Sequence, residues 1–343
     1  MVCCRSALTK TLLLAEISPI TSPLMDPCLW WFFGGAAVVS SLIYVKLVTK
    51  KRNLPVEPLD FSENRGTRIR LSEGYTNYVL RGNPSKQHLV VFVNGLLSSL
   101  YSMEHLEIEL SSLGYAVLNF DLWGRGHSDG PKDVDYTEDL YVSQLAQLLF
   151  ALDAKQKPVT LIGVSLGGAI SATFASRYPQ HVKDLILCGP AGLPVHESLT
   201  KRISELPIVG EIIPSSIIRH SLIQFGFTSL AEGKQSPHYK AMADNLEVMI
   251  SQMDYNPSFW PAVLSTVRHF NLSKMESTYA SLPCPVLVLW GRHDAVCPYR
   301  NVIHMTSLLG ENGSIVTIEN AGHALFVENR ADTVGEIRKY LAR

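Results

Sequence analysis

The chain has 343 residues, 46% of them apolar and 18% charged, which suits a substantial buried core and excludes disorder as its main state. Lys and Arg number 30 against 31 Asp and Glu, so no basic excess exists to neutralise phosphates and no nucleic-acid partner is expected. The six cysteines (Cys3, Cys4, Cys28, Cys188, Cys284 and Cys297) form neither a C-x-x-C ladder nor a His/Cys zinc spacing. That argues against a disulfide scaffold or structural metal, and a reducing compartment is the simpler reading.

Residues 1–27 read as an N-terminal tail or a targeting segment, with Met25 as an alternative start. From Cys28 to Val45 no residue is charged. As a helix such a run spans about 27 Å, close to a bilayer core. Trp30, Trp31 and Tyr44 sit near its ends as interfacial aromatics do, and snorkelling of Lys46 extends the span to 48. The prediction is a transmembrane helix over 28–48. Lys46, Lys50, Lys51 and Arg52 follow it, so the positive-inside rule places the following domain in the cytoplasm as a single-pass membrane protein. Glycans on the sequons at Asn271 or Asn312 would reverse that topology.

Beyond residue 65 strand and helix patterns alternate. Strands are predicted at Thr76–Leu80, Leu89–Val93, Ala116–Phe120, Val159–Ile162, Leu185–Cys188, Val286–Trp290 and Ile315–Ile318. Helices are predicted at Met103–Leu113, Tyr136–Leu152, Gly167–Tyr178 and Thr333–Leu341. Solid apolar strand runs between helices imply a mostly parallel sheet covered on both faces. The alternation stops over 192–282, where helical patterns such as Ile217–Phe225 and Tyr239–Met253 are mixed with prolines. This stretch reads as a helical cap or lid inserted into a core made of 65–191 and 283–343.

The chemistry gathers at strand ends. Val159–Ile162 runs into Gly163-Val-Ser165-Leu-Gly167-Gly168 and then a helix, which is the strand–turn–helix setting of a nucleophile elbow. Ser165 must sit on a sharp turn, and glycines at 163 and 167 remove side chains that would collide. A serine nucleophile needs a base, and the base needs an orienting acid. His323 lies after strand Ile315–Ile318 and Asp294 after Val286–Trp290, so both project from the same sheet edge as Ser165, in the order Ser, Asp, His. His293 is the competing base, but a sequence neighbour of Asp294 cannot easily face it, and it reads as a loop residue. Two backbone donors should meet the developing oxyanion: Leu166 N–H at the helix start and Leu96 N–H in the loop after Leu89–Val93.

Together these marks resemble the α/β-hydrolase fold family: Asn94-Gly95, Asp121-Leu-Trp-Gly-Arg-Gly-His-Ser-Asp129, the Ser165 elbow, Gly291-Arg-His-Asp294 and Gly322-His323. The resemblance covers about residues 65–343. The family usually has His-Gly where this chain has Asn94-Gly95. Asp121–Asp129 looks like the family's structural loop, with Arg125 and Asp129 as expected ion partners in a packing role. Serine rather than aspartate at position 165 argues against the epoxide hydrolase and dehalogenase branches. Glu328, five residues after His323 where acyltransferase-like relatives carry aspartate, looks like a hydrolase.

The resulting expectation is a serine ester hydrolase acting through an acyl-enzyme, with no metal and no cofactor. A membrane span and an apolar lid (Leu206, Ile208, Ile212, Ile213, Ile217, Ile218, Leu222, Phe225 and Phe227) favour a lipid or other apolar ester. The arrangement looks like membrane-anchored monoacylglycerol lipases, so a monoacylglycerol or lysophospholipid-like substrate is implied. The alternatives are a C–C bond hydrolase of the meta-cleavage type and a catalytically inactive hydrolase-fold binding protein.

Overall fold

The computed structural model describes residues 64–153, 157–194 and 215–343, with side chains in the last stretch from residue 219 onward. The chain divides into two units, Met1–Asn53 and Leu54–Arg343. The first lies outside the described residues, and with it the predicted span at 28–48. Among the described residues no helix is long and apolar enough to cross a membrane.

The elements in chain order are β1 (Thr67–Leu71), β2 (Gly74–Arg81), β3 (Leu89–Val93), α1 (Glu104–Ser112), β4 (Ala116–Phe120), α2 (Glu138–Ala151), β5 (Val159–Val164), α3 (Leu166–Arg177) and β6 (Val182–Cys188). Then come α4 (Ser215–Thr228), α5 (Tyr239–Tyr255), α6 (Phe259–His269), α7 (Met275–Ala280), β7 (Val286–Gly291), α8 (Val302–Leu309), β8 (Gly313–Ile318), α9 (Leu325–Glu328) and α10 (Arg330–Leu341). The strands form one sheet in the order β1-β2-β4-β3-β5-β6-β7-β8. β1 and β2 join antiparallel, and every pairing from β4 through β8 is parallel. This bears out the expected α/β-hydrolase architecture: a mostly parallel sheet with helices on both faces.

The residues explain the layering. In β3, β4 and β7 every position is buried, as parallel strands covered on both faces require. Alternate residues feed two cores. Leu89, Val91 and Val93 of β3 join Tyr141 and Leu145 of α2 and Ala169 and Ile170 of α3 on one face. Val90 and Phe92 join Leu106 and Leu110 of α1 and Val334 and Ile337 of α10 on the other. Thr137 caps α2 by accepting the Leu140 N–H, which sets its first turn.

Helices α4–α7 stand between β6 and β7, where the sequence pattern breaks. Smaller apolar clusters join them to loops of the core. Phe259 and Val263 of α6 pack with Leu97, and Met242, Leu246 and Ile250 of α5 pack with Ala324 and Val327. Of the apolar residues predicted in this stretch, Leu206, Ile208, Ile212 and Ile213 lie outside the described residues, as do the side chains of Ile217 and Ile218.

Candidate active site

Because β3, β5, β6, β7 and β8 are parallel, the loops that follow them open at one edge of the sheet. Ser165 follows β5 directly, at φ 54° and ψ −116°, a backbone conformation that is costly for a residue with a Cβ. Three hydrogen bonds hold the turn: Ser165 N–H donates to Cys188 O at 3.0 Å, and Ser165 O accepts from Gly168 N at 2.9 Å and Ala191 N at 3.0 Å. The flanking glycines are steric necessities. A Cβ on Gly163 would lie 2.5 Å from Gly167 O, and one on Gly167 would overlap the Val93 carbonyl oxygen. Ser165 precedes the first residue of α3, Leu166, whose N–H therefore has no partner inside the helix.

Asp294 and His323 meet at the same edge. Asp294 Oδ2 lies 2.8 Å from His323 Nδ1, and the Asp294 side chain is fully buried. Its other oxygen accepts Val296 N–H at 2.9 Å and Cys297 N–H at 2.8 Å. With both oxygens engaged, the carboxylate cannot rotate away, and a proton on Nδ1 leaves Nε2 free as the base. Gly189, at φ 51°, leaves this pair its room: a Cβ there would stand 3.0 Å from Asp294 Oδ2 and 3.1 Å from His323 Nδ1. His293 is exposed, and its N–H donates to Ala321 O, so it is a loop residue as expected.

Ser165, His323, Leu96 and Leu166 all line one cavity of about 1350 Å³, walled elsewhere by side chains such as Leu222, Met249 and Trp260 from α4, α5 and α6. Cys297 also borders it. Burial pushes the Cys297 thiol far up, the Asp294 carboxylate adds to the rise, and a hydrogen bond with the Ser165 side chain pulls it back only in part. The group stays a thiol at neutral pH and is no rival nucleophile.

The loop carrying Leu96 is held from behind. Asn94 Nδ2 donates to Asn119 Oδ1 at 2.7 Å and Phe120 O at 3.0 Å, so an amide ties this loop to β4 where the family usually has a histidine. Asp121 Oδ1 accepts Leu100 N–H at 2.7 Å. Asp121 is completely buried, and its carboxyl is pushed up to about 6 by that burial, against the pull of hydrogen bonds from Asn77, His127 N–H and Leu100 N–H.

The packing role expected of Asp121–Asp129 holds, but the expected Arg125–Asp129 pair does not form. Asp129 pairs with Arg68 of β1 and accepts the Tyr75 N–H. Arg125 is buried in the opposite direction and bonds Leu96 O, Trp123 O and Thr266 Oγ1. The reason is β1, a strand the pattern reading did not include, which brings a cation to Asp129 first.

Two further residues escaped sequence reasoning. Gln252 of α5 donates to Leu97 O at 2.9 Å and accepts Gly126 N–H at 2.6 Å. Glu328, read only as a branch mark, ties the His323 loop to the segment after α4: it accepts Gly322 N–H at 2.6 Å and Ala231 N–H at 2.7 Å. His323 N–H itself donates to Ser229 O at 2.7 Å. A polar residue inside an apolar helical face was the available signal for Gln252. Nothing local marked the partners of Glu328.

Comparison with known proteins agrees with this architecture. The family model described as serine aminopeptidase, S33 (Hydrolase_4) matches residues 84–330. A 2-hydroxymuconate semialdehyde hydrolase of Pseudomonas sp. (strain CF600) is 26% identical over 230 residues, covering 65% of this chain and 75% of the relative. Monoacylglycerol lipase ABHD6 of Homo sapiens is 22% identical over 276 residues, covering 77% of this chain and 78% of the relative. A thermophilic esterase from Thermogutta terrifontis matches in three dimensions with a TM-score of 0.66 at 22% identity, over 80% of this chain and 98% of that one, a likeness of fold. With that family model spanning most of the chain and the sheet order behind it, the chain belongs to the serine aminopeptidase S33 (Hydrolase_4) family of α/β-hydrolases.

Proposed function

We propose that the chain is a serine ester hydrolase acting on lipid esters of the monoacylglycerol or lysophospholipid-like class. The observation that carries the reading is the buried Asp294–His323 pair opening onto the same apolar cavity as Ser165. In this mechanism His323 takes the proton of Ser165 as Oγ attacks the ester carbonyl. Leu96 and Leu166 N–H groups hold the oxyanion, and His323 then protonates the leaving alcohol. Water hydrolyses the acyl-enzyme by the same route, with Asp294 keeping the imidazole in its working tautomer.

Helices α4–α7 act as a lid over the cavity, and residues 28–48 anchor the enzyme in a membrane with the catalytic unit on the cytoplasmic side. A cavity of about 1350 Å³ accepts a long acyl chain, since a methylene occupies only a few tens of Å³. The name of the ABHD6 relative supports a monoacylglycerol substrate. A C–C bond hydrolase of the meta-cleavage type is the second reading, favoured by the Pseudomonas relative.

Fluorophosphonate labelling tests the first claim: the wild type labels and Ser165→Ala does not. A folded wild type that stays unlabelled sinks it. A panel of monoacylglycerols, lysophospholipids, short water-soluble esters and a 2-hydroxymuconate semialdehyde, run with and without residues 1–52, tests the substrate. Equal turnover of short esters counts against the lipid reading, and preferred cleavage of the semialdehyde replaces it.

A further inference from the structure

Arg125 is fully buried, with no solvent-exposed surface. Its guanidinium donates from Nε to Leu96 O at 2.8 Å, from one terminal nitrogen to Trp123 O at 3.2 Å, and from the other to Thr266 Oγ1 at 3.0 Å. All three acceptors are neutral. Among the described residues no carboxylate pairs with it, and Asp129 of the same loop is taken by Arg68. Burying a guanidinium with no carboxylate beside it is expensive. Packing alone would be served more cheaply by an apolar side chain of similar volume.

Its place explains the expense. Leu96 carries the candidate oxyanion donor, and Arg125 grips the carbonyl of that same residue. The next carbonyl, Leu97 O, is gripped by Gln252 Nε2 at 2.9 Å, while Gln252 Oε1 takes the N–H of Gly126, the neighbour of Arg125. Two successive carbonyls of the loop are thus clamped, one by the Asp121–Asp129 segment and one by α5. Leu96 N–H takes part in none of these bonds. Leu96 N–H shares its peptide plane with Gly95 O, which accepts Ser98 N–H at 3.2 Å, and holding the two following planes as well limits the rotations by which the loop could turn that N–H away from the cavity. The cation bonds the residue that carries the candidate oxyanion donor and is itself shielded from water, so its field there is weakly screened.

We propose that Arg125 is a positioning residue for the oxyanion loop and supplies a fixed positive field there, with Gln252 as the second clamp. The proposal rests on the serine ester hydrolase reading above. It requires that Arg125 act on the transition state and not on substrate binding. Helices α5 and α6, through Gln252 and Thr266, then help build the catalytic centre as well as cover it.

The test uses the full chain and p-nitrophenyl butyrate, with Arg125→Met, Arg125→Lys and Gln252→Leu. Each is assayed for kcat, KM, and inhibition by an alkyl trifluoromethyl ketone, which forms a tetrahedral adduct, and by the alcohol of the same chain, which does not. Arg125→Met is expected to lower kcat about 10–100-fold with KM within about threefold. Affinity for the ketone falls by the same factor and affinity for the alcohol is unchanged. Arg125→Lys recovers part of the loss because it keeps the charge. Gln252→Leu shows the same split with a loss of about 3–10-fold, and carries the test if Arg125→Met does not fold. Equal losses for ketone and alcohol, a raised KM at unchanged kcat, or wild-type kcat in the folded variants overturns the proposal. A wild type that neither hydrolyses the ester nor prefers the ketone refutes the serine hydrolase reading itself. A wild type that does both, beside variants that keep the full preference, refutes only the role of Arg125.

Discussion

Removing Glu328 should loosen the fold and the base together. The residue is 8% exposed, and its carboxylate bridges two backbone donors, the nearby Gly322 at 2.6 Å and the distant Ala231 at 2.7 Å. Hydrogen bonds to a charged group contribute about 1.5–3 kcal/mol each, so Glu328→Ala forfeits about 3–6 kcal/mol of pairing. Burial already holds this carboxyl above its ordinary range, which means that desolvation of the ion cancels part of the gain. The net loss is then about 2–4 kcal/mol. At about 2–4 °C per kcal/mol, the variant melts about 4–16 °C lower. Glu328→Gln keeps one acceptor and turns an NH₂ toward an N–H, so it loses roughly half as much.

Gly322 immediately precedes His323, so the looser loop also misplaces the imidazole, and kcat falls about 10-fold or more. Thermal melting by circular dichroism and ester hydrolysis on the same preparations check both effects. Unshifted melting with unchanged kcat in both variants would mean that Ser229 O alone anchors the loop, and the reasoning would be wrong.

Asp294→Asn should leave the fold intact and cost about 10⁴-fold in kcat, read by steady-state ester hydrolysis, because the amide imposes the wrong imidazole tautomer. Gly167→Ala places a Cβ on the Val93 carbonyl oxygen, a backbone group that cannot step aside, so it should lower stability by at least about 3 kcal/mol in urea titration or yield no soluble protein. Asp121 carries a sign that can be checked. Its folded pKa, about 6, is raised above the ordinary carboxylate value, so between about pH 4 and 6 the native state binds more protons than the unfolded one. Its contribution to stability therefore falls as pH rises through that window, by up to about 3 kcal/mol at 1.36 kcal/mol per pK unit. The difference between wild type and Asp121→Asn in urea midpoints from pH 4 to 7 measures this, and a difference that grows in favour of the wild type with rising pH contradicts it.

What could be read from the sequence is what local physics dictates. Solid apolar strands such as Leu89–Val93 and Val286–Trp290 cannot be solvated, so their burial was predictable. The Ser165 elbow is legible because close backbone approach leaves glycine the only residue for positions 163 and 167. Thr67–Leu71 alternates, but its exposed Thr67, Arg68 and Arg70 leave only Ile69 and Leu71 apolar, so the run resembles a polar loop. That likeness hides β1 and led to the mistaken Arg125–Asp129 pairing, since Arg68 reaches Asp129 only through the β1–β2 hairpin. The clamps at Gln252 and Glu328 were illegible for a different reason. Three of the backbone groups they bond lie 97 to 155 positions away, and backbone N–H and C=O groups carry no sequence signature. The predicted membrane span and much of the predicted apolar lid surface fall outside the described residues.

The left-handed turn at position 165 also limits which chemistries this scaffold can exchange by single substitution. At φ 54° a β-branched side chain collides with its own backbone, so threonine, though it offers the same hydroxyl, is an unfavourable swap. Aspartate and cysteine, like serine, carry no second branch at Cβ. A lineage starting from this backbone can therefore move toward thiol or carboxylate attack more easily than toward a secondary alcohol.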